Sequence, residues 1–344
     1  IVAAGAVAGA LAIAAFFTWL APSSPNADNP AEVTASPSSV LTGPIAVAAF
    51  RNETDDPGLD VVGRLAGDWI SEGLVQTGVA SVVPWPSSLE AAESVRAARI
   101  EGSPIDPVAA LAAATGAATV VTGSFYDVGD ELRFQAEVID VRDGSVVSAP
   151  EAISAPRDSI EVAIRQLRDR LMGSIAMATD SRLASAPGLA RRPPTFAAYK
   201  AFDRGLELYL SGEYTRAIPE LFQAFELDPE FYDAPLLAST NLVNIGTRDA
   251  LERADSVLTI LEPKRSSFTR LQDLRWQYLR ARLDSDGSAA LQAAIRASEL
   301  TSASRTSYNS AHAALGVRRP RLTIELLESM DPDTGALQGW AHYW

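Results

Sequence analysis

The first twenty-one positions of the chain, Ile1 to Ala21, carry no charged side chain. A helix of that length spans about 31 Å at about 1.5 Å per residue, close to a hydrocarbon core of about 30 Å. Trp19 stands near its end, where an indole favours the membrane interface, and Pro22 stops a helix. A signal-peptide core or a buried helix of this length would more often be shorter or carry a charge, so residues 1–21 are expected to form a transmembrane helix. Gly5 and Gly9 make a small-xxx-small pair that lets another helix come close. Gly5, Gly9 and Trp19 are therefore the expected partner contacts of the span. Residues 22–43 hold Asp28 and Glu32 but no Lys or Arg, so this flank reads as periplasmic. Its prolines and serines make it an extended linker.

From Pro44 the pattern shortens. IAVAAF (45–50) suits a strand buried on both faces. Apolar residues recur with a helical period from Leu59 to Gln76. ASVVP (80–84) reads as a second strand. Asp106 caps a helix that runs to Thr115, with Pro107 in its first turn. ATVVTGSFYDV (118–128), ELRFQAEVIDV (131–141) and SVVSAPEAI (145–153) read as three strands, turned at Gly129-Asp130 and Asp143-Gly144. Ser159 to Thr179 is amphipathic with a helical period. The expected order is β-α-β-α-β-β-β-α, a mixed α/β domain over 44–180. Residues 181–195, with the stretch APGLARRPPT, read as a second linker.

Beyond residue 195 every periodic segment is helical and repeats itself. In residues 198–231, Gly205, Tyr214, Ala217, Ala224 and Pro229 fall at the spacing of a tetratricopeptide repeat. Gly205 and Ala217 let paired helices cross closely, and Pro229 ends the second helix. Pro263 follows Pro229 by 34 residues, and AALQAAIRASEL (289–300) copies RAIPELFQAFEL (216–227) 73 residues later. LTIELLESMDP (322–332) starts a fourth copy, and GWAHYW (339–344) reads as the opening of another helix. Residues 196–344 are expected to be an α-solenoid of about four pairs. Repeat register places Tyr199, Phe202, Leu206 and Tyr209, then Gln272, Arg275, Leu279 and Arg282, then Arg305, Tyr308 and His312 on its groove. Phe202 and Leu206 read more readily as inter-helix core.

Composition narrows the chemistry. The 344 residues suit about two domains at roughly 150 residues each. No cysteine is present, which excludes a disulfide scaffold, a thiolate nucleophile and cysteine-ligated zinc or iron–sulfur sites. His312 and His342 are the two histidines, too few for a histidine metal cluster. A net charge of −14 is repelled by phosphate backbones and argues against nucleic acid as a partner. Asp55, Asp56 and Asp60 share a loop but lack the spacing of a calcium loop, and read as caps of the following helix. No phosphate loop or nucleophile motif occurs. No catalytic, cofactor-binding or metal site is expected, and the chain is read as not an enzyme. Arginine makes up all but Lys200 and Lys264 of the 29 basic residues, which suits protein interfaces and also follows from a GC-rich genome.

IAVAAFRNETDDPGLDVVG (45–63) resembles the opening of a TolB-like N-terminal domain, and VVTGSFYDVGDELRFQAEVIDVRDGSVV (120–147) is similar to that domain's hairpin section. In that family the domain precedes tetratricopeptide repeats, outside the cytoplasm of bacteria, beyond a single span and a Ser/Thr kinase or transcription-factor domain. Ala48-Ala49 stands where the family usually has Leu-Pro. No glycine-rich loop, HRD or DFG occurs, so kinase activity does not carry over. The resemblance implies α/β plus all-α: a transmembrane helix, a TolB-like domain and a repeat solenoid. Two functions follow from it. One is a membrane-anchored periplasmic scaffold in the bacterial inner membrane, a subunit of a hetero-oligomeric complex such as a photosynthetic reaction centre. It would touch the lipid bilayer and protein partners through span, linker and groove. The other is the sensory region of a kinase-like receptor. The start at Ile1 suggests a longer gene product.

Overall fold

In the strand β4 (Glu131–Asp140), the even-numbered side chains are buried and the odd-numbered ones are exposed or half-buried. That period of two gives the sheet one packed face and one open face. The computed structural model describes residues 41–100, 106–180, 182–183, 193–300 and 304–328. β3 (Thr119–Val128) runs antiparallel to β4 from the Thr119–Asp140 pair to the Val128–Glu131 pair. Gly129 makes the turn between them at φ +61°, a conformation glycine adopts without strain.

Outside β3 lie β1 (Ile45–Val47) and β2 (Arg51–Asn52), both parallel to it. Outside β4 lie β5 (Ser145–Ser148) and β6 (Ile153–Pro156), both antiparallel. The outer rows are each broken midway, at Ala48–Phe50 and at Ala149–Ala152. The expected single strand over 145–153 is thus two, and buried Pro150, which has no N–H for the ladder, lies in the break. The expected strand at 80–84 reduces to one bridge between Ile45 and Val82.

Helix α1 (Asp60–Thr77) and helix α4 (Ile160–Thr179) cover the packed face, where Ile70, Leu74, Phe125, Phe134, Leu167 and Leu171 form the core. Among the described residues the opposite face is covered only near β1. There α2 (Trp85–Ile100) and α3 (Pro107–Thr115) bring Leu111 and Ala112 over Ala46 and Val120. Asp106 caps α3 by accepting from Val108 N at 3.0 Å, with Pro107 at the first position. α2 was not expected from the sequence, because its alanines and scattered charges give little contrast between faces.

The rest is helical: α5 (Phe196–Leu210), α6 (Tyr214–Leu227), α7 (Asp233–Ile245), α8 (Arg248–Leu261), α9 (Arg270–Leu283), α10 (Gly287–Glu299), α11 (Ser304–Gly316) and α12 (Pro320–Glu328). Each packs on the next. Thr195, Thr247 and Asp286 cap α5, α8 and α10, and Thr269 with Gln272 closes a capping box on α9. Ala176 and Met177 of α4 share a core with Tyr199, Phe202 and Phe231. Sheet and helices therefore bury surface together.

Among the described residues no helix is long and apolar enough to cross a membrane. The expected span, with Gly5, Gly9 and Trp19, lies outside the described residues, as do residues 22–40, 184–192 and 329–344. The fold class is corrected accordingly. Among the described residues it is a small mixed sheet with many helices, none of them long and apolar enough to cross a membrane.

Candidate functional site

The residues expected on a repeat groove divide into two groups. Tyr199 is buried and its hydroxyl donates to Asp180 at 3.1 Å. Burial and the nearby Asp180 carboxylate push its phenol above the ordinary tyrosine range. Arg182 donates to Asp180 at 2.7 Å and pairs with Asp203, while Asp228 accepts from Arg170 and from Thr195 N, the latter at 3.0 Å. This network joins α4 to α5 and α6. The Phe202 ring lies tilted against that of Phe231, centres 4.9 Å apart, and Leu206 is buried. Tyr209 is buried with its ring 5.9 Å from that of Tyr214. Arg275 donates to Asp233 at 3.0 Å and Gln272 donates to the same carboxylate at 2.6 Å. Leu279 is buried in the core.

The second group gathers on α9 and α11. Arg282 lies 5.8 Å from the Tyr278 ring centre and donates to its hydroxyl at 3.0 Å. The Tyr308 and His312 rings stack at 6.4 Å. Shielding from water, and then the charge of Arg282, hold the His312 imidazole below its ordinary value. Tyr308 and His312 line a cavity of about 170 Å³ with Leu315, Pro320, Ile324 and Leu327. Leu315 and Ile324 are 43% and 55% exposed at its edge. The side chain of Arg305 lies outside the described residues.

A larger cleft, of about 760 Å³, lies on the open face of the sheet. Sequence reading did not find it. Its floor is the middle of the hairpin, where Thr122, Gly123 and Ser124 pair with Glu137, Ala136 and Gln135. Both outer rows leave the sheet at this level, and Ala48–Arg51 and Ala149–Pro150 line the sides. Leu89, Ala92 and Glu93 of α2 and Leu111 of α3 close it over. The close approach of α1 sets the rim. A Cβ on Gly63 would stand 2.0 Å from the Phe50 carbonyl oxygen, and one on Gly67 would meet the Trp85 ring at 2.4 Å.

Polar groups converge on this cleft. Gln135 Nε2 donates to Ser124 Oγ at 2.9 Å. Asn52 Nδ2 donates to Asp60 Oδ1 and to the Asp56 carbonyl, both at 2.8 Å, which ties down the acid loop. Asp56 in turn accepts from Gly58 N at 2.8 Å. Arg51 is engaged by Glu53 at 2.8 Å. Arg64, Glu93 and Glu137 make no side-chain hydrogen bond or ion pair among the described residues. The signal in the sequence was the polar alternation Arg133, Gln135, Glu137 with Thr122 and Ser124. It marks an uncovered face without saying what lies above it. Among the described residues no group of three or more His, Asp or Glu is placed to hold a metal ion.

No family model and no curated protein matches the chain. Solved structures share part of it. The NMR structure of E. coli LpoB is 14% identical over 34% of this chain and 59% of that one, with a TM-score of 0.27. TolB from Acinetobacter baumannii is 19% identical over 40% of this chain and 28% of that one, with a TM-score of 0.25. The PelC dodecamer from Paraburkholderia phytofirmans is 19% identical over 39% of this chain and 88% of that one, with a TM-score of 0.25. The chain thus spans less than two thirds of the LpoB and TolB structures. Nothing in these comparisons supports the photosynthetic reaction centre. Similarity at this level names neighbours and carries no argument about activity or partners.

Proposed function

We propose that this chain is a non-catalytic protein-interaction subunit that acts outside the cytoplasm and holds a partner protein. One observation carries the reading. The stacked helices present Tyr308 and His312 beside exposed Leu315 and Ile324 around an apolar cavity, with Arg282 near enough to His312 for its charge to act on the ring. An arginine and aromatic rings over an apolar recess make up the composition of an interface centre. The helices are read as tetratricopeptide-like, since a Cβ on Gly205 would stand 2.6 Å from Leu221 Cγ, a crossing only a small residue permits. The extracytoplasmic setting rests on the resemblance of residues 45–63 and 120–147 to TolB-like domains.

The test is site-specific photocrosslinking in the native host, with p-benzoylphenylalanine in place of Tyr308 or, as control, of Val128 at the hairpin tip. The reading expects one discrete crosslinked partner from position 308 and none from 128. Equal labelling from both positions, or none from 308, overturns it.

A further inference from the structure

We propose that the cleft on the open face of the sheet is a binding site for a short zwitterionic peptide carrying a basic side chain. The site lies apart from the interaction surface on α9 and α11, so its failure would leave that reading standing.

The shape is the first argument. About 760 Å³ falls within the 300–1,000 Å³ that ligand sites commonly occupy. The recess is built rather than left over. It opens where both outer rows depart from the sheet at the same level, and Gly63 and Gly67 bring α1 against its rim. Behind the floor, Gly123 pairs with Ala136 on the packed side, where a Cβ would stand 2.4 Å from the ring of the core residue Phe50.

Charge selects the ligand. Among the described residues Arg64 forms no ion pair, although Asp60 lines the same cleft, and Glu93 and Glu137 form none either. A wholly anionic ligand would meet two uncompensated carboxylates, and a wholly cationic one would leave the guanidinium unmatched. A ligand with both signs matches all three. Its carboxylate forks onto Arg64, and its ammonium groups meet Glu93 and Glu137. Leu89, Ala92, Leu111 and Pro150 offer apolar wall to the aliphatic part, while Thr122 and Gln135 offer hydrogen bonds to peptide groups. The overall charge of −14 draws a peptide of net positive charge towards the protein.

The experiment is calorimetric titration of the full chain with the tripeptide Ala-Ala-Lys bearing free termini. Saturable binding is expected. Arg64→Gln should weaken it about tenfold yet leave the C-terminally amidated tripeptide unaffected, since that probe lacks the carboxylate. The double change Glu93→Gln, Glu137→Gln should weaken the lysine peptide about tenfold and leave N-acetyl-Ala-Ala-norleucine, which has neither ammonium group, unaffected. All three residues are exposed, and wild-type melting temperatures for the variants confirm folding. Absence of saturable heat with the wild-type chain at millimolar peptide overturns the proposal. So does binding that neither set of substitutions changes.

Discussion

Arg275 and Asp233 stand 42 residues apart in the chain, and Arg275 Nη1 donates to the Asp233 carboxylate at 3.0 Å. Gln272 Nε2 donates to its other oxygen at 2.6 Å, so one buried acid fastens α7 to α9. Burial pushes the Asp233 carboxyl above its ordinary value, and Arg275 and Gln272 pull it back part of the way.

Breaking that fastening is expected to be expensive. Asp233→Ala leaves the Gln272 amide and the Arg275 guanidinium, the latter 34% exposed and partly rescued by water, without their acceptor, at a cost of about 1–3 kcal/mol. Asp233→Asn keeps one acceptor oxygen and should cost less. Urea denaturation of both variants checks the ranking. Equal stabilities would show that the pair contributes only packing.

Gly63 is the tightest point of the cleft rim. Its substitution by Ala drives a methyl group into the Phe50 carbonyl, an immovable backbone atom 2.0 Å away. A loss of about 1–3 kcal/mol is expected from overpacking. Gly78→Ala at the end of α1 meets no atom, but its φ of +62° makes it a control for strain alone. Thermal melting compares the two, and the Gly63 change should be the larger.

Phe134 pairs with Phe125 across the hairpin, ring centres 5.3 Å apart, and both are fully buried. Phe134→Ala is expected to cost about 3–5 kcal/mol through lost burial and the cavity left behind. The denaturation midpoint should fall without a change in slope. A loss under about 1 kcal/mol would mean the core closes over the gap.

His312 should titrate below its ordinary value. A histidine whose folded pKa is depressed prefers to be neutral in the native state. Stability from this group is then constant at high pH and falls as pH drops through about 6.5, where the unfolded chain takes up its proton first. NMR titration resolves it, with His312→Gln assigning the signal. Arg282→Gln removes a like charge and should raise the His312 value. An unchanged value would place Arg282 too far away to matter.

Several of these features are legible in the chain. Asp106-Pro107, Gly129-Asp130 and the alternation of ELRFQAEVID lead to a helix start, a turn and a strand from local chemistry alone. ASVVP reads as a strand because an apolar run does not reveal whether a neighbour completes its ladder. α2 escaped notice because alanine suits either face. Tyr199, Tyr209 and Arg275 were placed on a groove by repeat register. The structure turns them to Asp180, Tyr214 and Asp233, and register cannot show those partners.

Local chemistry along the chain sets the individual elements. Periodicity, caps and turns act over a few residues, so β3, β4, α3 and most of the helices from α5 onward follow from neighbours in the chain. Tertiary structure alone decided that the outer rows break at one level, that α2 and α3 cover only one end of the open face, and that Arg64, Glu93 and Glu137 meet around one cleft. The reason is physical. A cleft is defined by where packing stops, and that depends on side chains brought together from segments tens of residues apart.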